Sequence, residues 1–436
     1  MAKNPFTRRG FIKTSATTTL GVTLASPALA IHQHEPKKPV RIAVIGTGNR
    51  GTSLLQNLLS MDEVVIPALC DLQMDRLANA RKLCVEAGQD EPKQYAGGAF
   101  GFQKLLEQEE LDAVIIATYW DSHARIALEA MQHGIYPGVE VPIALTLDEC
   151  WDLVDASEKT GIPCMMLENW SFRRDNLAIL NMIRQGMFGD LVHCHCAHSH
   201  DCIDHWFFDK EDGHQRWPAK YLLNHNRDQY PTHSLGPVLS WMDINCGDVI
   251  TEIYSVATAS RGINAYFKRR FGEDHPNANL TYKQGDIVTS TLKTRNGKTI
   301  IVNYDMQLPR PYDNRWLIQG TLGVYNEQRT ALYITETSPE YHLWEDFKPY
   351  EEKYLHKWWK DGAKIRGGHG GVDYLELSLF VDAVRNKTQT PIDVYDSVTM
   401  SAVVALSGIS IEQNKPIEFP DFTKGKWKNR LPRFAV

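Results

Sequence analysis

The sequence lacks several features that assign a class at a glance. It has no surplus of positive charge: 47 lysines and arginines stand against 53 acidic residues, for a net charge of −6. That excludes the basic footprint of a nucleic-acid-binding protein. After residue 30 no apolar run reads as long enough to span a bilayer. The eight cysteines, Cys70, Cys84, Cys150, Cys164, Cys194, Cys196, Cys202 and Cys246, form no CxxC pair. They sit mostly in strand and helix patterns and read as small buried hydrophobes, with no disulfide dictated by their spacing. Internal repeats and low-complexity tracts are absent too. What remains is 436 residues, 43% of them hydrophobic, enough for two globular domains with ample core.

Residues 40–51 read VRIAVIGTGNRG. Val40 to Ile45 has the β-branched, apolar character of a buried parallel strand. Gly46, Gly48 and Gly51 follow as GxGxxG: one glycine for the tight turn, one for close backbone approach to a pyrophosphate, one for close helix packing. A helix is expected from Thr52 to Met61, and a second strand, Val64 to Cys70, ends in Asp71. A carboxylate there accepts the ribose hydroxyls of NAD and repels the 2′-phosphate of NADP, although Arg50 and Arg76 are nearby cations. Strand, helix, strand and terminal acid in register point to a dinucleotide-binding Rossmann domain.

The pattern continues with strands at Leu111 to Thr118, Ile135 to Val141 and Pro163 to Leu167, and helices at Ser122 to His133 and Leu147 to Thr160. A helix over Asp175 to Gln185, stopped by Gly186, leads into a different grammar. Alternating strands are expected at Leu191 to His200, Ile250 to Ala257, Asp286 to Thr294, Lys298 to Met306 and Asn314 to Gly320. Glu340 to Gly371 reads as a long surface excursion, and Tyr374 to Asn386 and Ser397 to Gln413 as helices. The fold class is therefore α/β: a doubly wound parallel sheet over residues 38–168, then an α+β domain over 169–436 with an open, mostly antiparallel mixed sheet. The open sheet face suits a homodimer.

Residues 1–30 carry Arg8-Arg9, Phe11 and Lys13, a mildly apolar Thr-rich stretch, and Ala28-Leu29-Ala30. This is the pattern of a twin-arginine signal peptide, which exports proteins already folded to the periplasm or cell envelope. A nicotinamide carried out of the cytoplasm is not easily exchanged, so a tightly bound NAD restored in every turnover is expected.

Three groups of residues are candidates for chemistry. Residues 192–200, VHCHCAHSH, hold His193, His195, His198 and His200, but strand alternation splits them between two faces, and no metal site is expected. Tyr230-Pro231-Thr232-His233 offers a histidine suited to acid–base work beside a tyrosine. Trp120-Asp121-Ser122-His123 and Glu140-Val141-Pro142 close strands over the expected dinucleotide path.

At these residues the sequence resembles the Gfo/Idh/MocA oxidoreductases, which carry Glu-Lys-Pro where this chain has Glu140-Val141-Pro142. The lysine that moves the proton in those dehydrogenases is Val141 here. A closer resemblance is to glycoside hydrolase family 109, the NAD-dependent α-N-acetylgalactosaminidases. It covers nearly the whole chain and rests on strings such as Glu168-Asn169, Arg173-Arg174-Asp175, Tyr230-Pro231-Thr232-His233, Arg310-Pro311-Tyr312 and Gly368-His369-Gly370-Gly371.

The resemblance implies that Asn49, Arg50, Asp71, Trp120, Asp121, Ser122, His123, Glu140, Val141 and Asn169 touch NAD. It also implies that Tyr230, His233 and Tyr312 line the sugar site. Two departures stand out: the family's proton-transfer tyrosine is Phe172, a substrate-site position, and an arginine expected after Trp217 is Pro218. The implied reaction oxidises C3 of the sugar, removes the C2 proton, expels the C1 substituent, adds water and reduces C3 again. NAD-dependent glycosidases are an exception to the usual two-carboxylate scheme. The base at C2 stays open between Tyr230 and Tyr312, with His233 expected near the C3 oxygen. A net sugar 3-oxidoreductase yielding keto sugars, and an idle NAD-holding protein, are the rival readings.

Overall fold

The computed structural model describes residues 38–98, 100–360 and 367–436; the leader read at residues 1–30 lies outside them. Seven short strands build the first sheet: β1 Val40–Ile45, β2 Val64–Val65, β3 Ala68–Cys70, β4 Lys93–Tyr95, β5 Ala113–Ile116, β6 Tyr136–Val139 and β7 Met165–Met166. Their order is β4-β3-β1-β5-β6-β7, with β2 beside β1. Every pairing is parallel, as when Val44 sits opposite Leu69 on one side and Ile115 on the other. Strands buried on both faces need apolar residues throughout, and Ile42, Ala43, Val44 and Val114 to Ile116 are all fully buried.

The second sheet has nine strands: β8 Leu191–Ser199, β9 Ile250–Ala257, β10 Ile287–Thr294, β11 Thr299–Asp305, β12 Leu317–Gly320, β13 Gly323–Asn326, β14 Ala331–Ile334, β15 Glu345–Asp346 and β16 Ile417–Glu418. They run β15-β14-β13-β12-β8-β11-β10-β9-β16. Only β8 and β11 pair in parallel; the other pairs are antiparallel. The sheet is therefore mixed and mostly antiparallel, as the alternating pattern implies. Strands β13 to β15 escape the sequence reading because each is two to four residues long.

Helix ends follow their local chemistry. The helix Leu147–Thr160 opens with a capping box between Thr146 and Glu149 and closes on Gly161 at φ 72°. The segment 340–371, expected to run over the surface, forms β15 and two short helices, Lys348–Lys353 and Lys357–Lys360, among its described residues. Phe347 and His356 are buried, so aromatic residues that looked like surface decoration anchor this segment to the core.

The helix Val394–Gln413 is long and apolar enough to cross a membrane, against the expectation that no such run exists, but 67% of its apolar window is buried in the fold. Four of its serines accept hydrogen bonds from backbone N–H groups on other elements. Ser397 takes that of Met166 at 3.0 Å, Ser401 that of Ile143 at 3.2 Å, Ser407 that of Asp228 at 2.9 Å and Ser410 that of Ser255 at 2.9 Å. Buried amides are costly without partners, so this is a core helix that joins both sheets. All eight cysteines are free, and seven are buried.

Candidate active site

The glycine turn after β1 is sterically fixed. Gly46 has φ +88°, and a Cβ there would lie 2.5 Å from Ala117 O. A Cβ on Gly51 would lie 1.8 Å from Gly46 O, so the helix Asn49–Leu59 can meet the turn only without a side chain at this point. Gly48 is less constrained, since a Cβ there meets only the end of the Arg76 side chain. Asp71 directly follows β3 and reaches across the turn, accepting from Thr47 N at 2.6 Å, Thr47 Oγ at 3.1 Å and Gln73 N at 2.9 Å. Glycine turn, helix N-terminus and acid form a cradle that fits a dinucleotide.

Arg50 leaves this helix to bind two acids. Its Nε donates to Glu140 at 2.6 Å and its Nη1 to Asp373 at 2.7 Å. Asp373, fully buried at the start of the helix Val372–Asn386, also accepts from Asn169 Nδ2 at 2.7 Å and faces His369 Nδ1 at 2.8 Å. Burial works against its charge, but the His369 hydrogen bond and the Arg50 guanidinium hold its carboxyl well below the usual range. Asp373 gives no signal in the sequence, and His369 enters it only within the string Gly368-His369-Gly370-Gly371. Asn169 Oδ1 is buried without a partner. It is a free acceptor at the cradle's edge and suits a bound carboxamide or hydroxyl.

The Trp120–His123 group divides. Asp121 pairs with Lys220 at 2.6 Å, and Ser122 shares a hydrogen bond with Thr118 Oγ at 2.7 Å. His123 was expected to touch NAD, but it is 1% exposed and its ring lies between the carbonyls of Pro142, at 2.8 Å, and Thr118, at 3.1 Å. It braces two strand ends and has no nitrogen left for a ligand. Burial lowers its pKa, while the two carbonyls act in the opposite direction. Val141 is 3% exposed, with its N–H donating to Glu140 Oε2 at 3.3 Å.

Across the cradle, the helix Thr232–Trp241 presents His233. Its Nδ1 lies 2.8 Å from Glu168 Oε1, and its Nε2 lies 3.4 Å from the Tyr230 hydroxyl. Glu168 is fully buried and accepts from Trp170 N at 3.1 Å, Ser171 N at 2.8 Å and the Ser171 hydroxyl. A carboxylate on Nδ1 makes that nitrogen the donor and leaves Nε2 as the acceptor. The close approach depends on Gly236, where a Cβ would lie 1.8 Å from Glu168 Oε2. Sequence reading found His233 and Tyr230 but not the role of Glu168. A glutamate just past a strand end, 65 residues before the histidine, gives no local signal.

Aromatic rings close the site. His198, at the end of β8, is 4% exposed and sits 4.9 Å from the Tyr230 ring, 5.4 Å from His233 and 5.5 Å from Tyr312. Burial holds its pKa well below the ordinary value, so it is neutral. His193 and His195 point elsewhere, to Thr299 and Asn303. Trp120 and Trp206 pack against Tyr230 and each other, and Tyr221 packs against Trp120. Phe172, expected at the substrate, is fully buried against Trp358 and Phe434 and offers no surface to a ligand. Pro218 opens the short helix Ala219–Asn224 beside Trp217.

Two family models match this chain. Residues 40–167 match an oxidoreductase family with an NAD-binding Rossmann fold, and residues 172–429 match the C-terminal domain of glycosyl hydrolase 109. A glycosyl hydrolase family 109 protein of Stenotrophomonas maltophilia is 40% identical, over 94% of this chain and 96% of that one. An alpha-N-acetylgalactosaminidase of Tannerella forsythia is 39% identical, over 99% of each. The fold is also that of a solved NAD binding oxidoreductase from Klebsiella pneumoniae, with a TM-score of 0.68 at 15% identity, covering 87% of this chain and 98% of that one. With its Rossmann cradle for NAD and its second half matched over nearly full length, the chain belongs to glycosyl hydrolase family 109, glycosidases that depend on NAD.

Proposed function

We propose that this protein hydrolyses α-N-acetylgalactosaminides, and that a tightly held NAD ends each turnover in the state in which it began. The observation that carries the reading is the Glu168–His233–Tyr230 chain, in which the carboxylate holds His233 Nδ1 and leaves Nε2 as an acceptor beside the Tyr230 hydroxyl. The 39% identical relative named as an alpha-N-acetylgalactosaminidase supports the choice of sugar. Bound NAD supplies a reversible oxidation of a sugar carbinol, and Gly46, Gly51, Asp71 and Asn169 are the residues that would hold it.

The remaining work falls to side chains. His233 Nε2 takes the proton of the sugar hydroxyl that is oxidised, and Glu168 stabilises the imidazolium. Tyr230, whose pKa burial raises well above the usual value, stays protonated and relays a proton between His233 and the sugar oxygens. Tyr312, 38% exposed and 5.5 Å from the His198 ring, is the more open of the two tyrosines at the site. Val141 leaves no ammonium at the position where the related dehydrogenases place one, which supports hydrolysis over net oxidation. The Arg8-Arg9 leader supports export by the twin-arginine route to the periplasm or envelope.

Purified protein without added NAD should release aglycone from aryl α-N-acetylgalactosaminide over many turnovers, with no build-up of reduced cofactor. Accumulating keto sugar, or no aglycone release, would overturn the reading.

A further inference from the structure

Just past β8 the chain carries His200, Cys202 and His205, and the wide helical turn Ile203–Phe207 folds them onto one point. One imidazole nitrogen from each histidine and Cys202 Sγ all lie within 4.8 Å of one another. The two rings are 5.0 Å apart, and His200 lies 4.9 Å from the ring of Tyr312. Cys202 is 3% exposed, while the His205 side chain is 49% exposed and so opens the cluster to solvent. Nothing in the proposed reaction uses any of the three.

Their chemistry is selective. A thiolate with two imidazoles suits a zinc-class cation and suits the oxygen-seeking magnesium and calcium poorly. Tetrahedral coordination sets ligand atoms roughly 3.3–3.6 Å apart, so the cluster must contract by about an ångström. Two of its members are anchored for this. His200 N donates to Asp305 O at 2.8 Å, and Cys202 N to Met306 O at 3.2 Å. Trp206 N and Phe207 N close the turn on Cys202 O at 3.2 and 3.1 Å. The exposed His205 is the ligand free to swing inward. Asp204 Oδ1 lies 3.6 Å from His205 Nδ1 and is placed to complete the set or to orient that ring.

We propose that His200, Cys202 and His205 bind one zinc-class divalent cation at the rim of the aromatic site, with a fourth position left to water or Asp204. Since Trp206 belongs to the same turn and packs 5.3 Å from Trp120 and 5.4 Å from Tyr230, the bound cation pins one wall of that site.

The test is a Co²⁺ titration of the full chain after chelator treatment and dialysis. One equivalent should bind, with a thiolate-to-cobalt charge-transfer band and the visible absorption of a tetrahedral site, and Zn²⁺ should displace it. Cys202→Ser should remove the charge-transfer band. Because that residue is buried, the exposed His205→Ala serves as the second variant. Loss of a supporting partner already costs ten- to a hundredfold in affinity, so loss of this ligand should weaken Co²⁺ binding on the order of 100-fold. No saturable binding at millimolar Co²⁺, a spectrum without the thiolate band, or unchanged affinity in His205→Ala would overturn the proposal.

Discussion

Glu168 and His233 lie 2.8 Å apart across 65 residues of chain, and the carboxylate belongs to the strand end of one sheet while the imidazole belongs to a helix packed on the other. The pair sets which ring nitrogen is free. Replacing Glu168 by Gln keeps the volume but removes the charge that steadies an imidazolium. Turnover of aryl α-N-acetylgalactosaminide is expected to fall roughly 10²- to 10⁴-fold, with substrate affinity changing far less. Steady-state kinetics on a folded variant checks this, and a loss under threefold would remove Glu168 from the mechanism.

His233→Ala is expected to abolish turnover while NAD stays bound, because the cradle residues do not depend on this ring. The measurements are aglycone release and the nucleotide content of the denatured, filtered protein. Retained activity would refute the base assignment.

Gly51→Ala places a methyl group 1.8 Å from Gly46 O, which the helix can relieve only by backing away from the turn. Overpacking of this kind costs about 1–3 kcal/mol, and here it also opens the phosphate cradle. Lower thermal stability and substoichiometric NAD are expected together. A variant that holds a full equivalent of nucleotide would contradict the assignment of the turn.

Asp373→Asn leaves the Arg50 guanidinium with Glu140 as its one carboxylate partner. Breaking a buried pair from one side costs on the order of 3 kcal/mol. The folded-state pKa of Asp373 is depressed, so its contribution is fully present above the ordinary carboxylate range and fades as pH falls through the depressed folded value. The stability gap between wild type and variant, from denaturant melts, is expected to be flat from about pH 5 to 8 and to narrow below about pH 4. A gap that widens in acid would reverse the sign and remove the ion pair as its cause.

Phe172→Tyr introduces the hydroxyl that the family resemblance implies at this position, but the ring is enclosed by Trp358 and Phe434. A hydroxyl buried without a partner costs roughly 1–3 kcal/mol. A lower melting temperature and no gain in turnover are expected. A faster enzyme would show that the ring reaches the sugar.

The cradle was legible because its signal is local: glycines, strand and acid lie within about thirty residues, and each spacing has a steric cause. His233 and Tyr230 were legible for the same reason. Glu168, His198 and Asp373 join the candidate site only through contacts made across the fold, and no periodicity encodes those. His123 shows the opposite error, since a polar residue at a strand end over the ligand path can be spent entirely on holding that strand end. Residues 345–360 misled because a short strand and short helices held by a few aromatic anchors leave no repeat to read.

The serines of the helix Val394–Gln413 bear on how substrate gets in. Two of them, Ser397 and Ser401, are bonded to backbone of the half built on the parallel sheet, and two, Ser407 and Ser410, to backbone of the half built on the mixed sheet. A hinge opening between the halves would strip several buried amides at once, at about 1 kcal/mol for each bond and more for any donor left dry. The two halves are in effect keyed to a single rod. Entry and release therefore fall to loops and side chains at the rim, and a search for large-scale closure, by scattering with and without ligand, should find the outline unchanged.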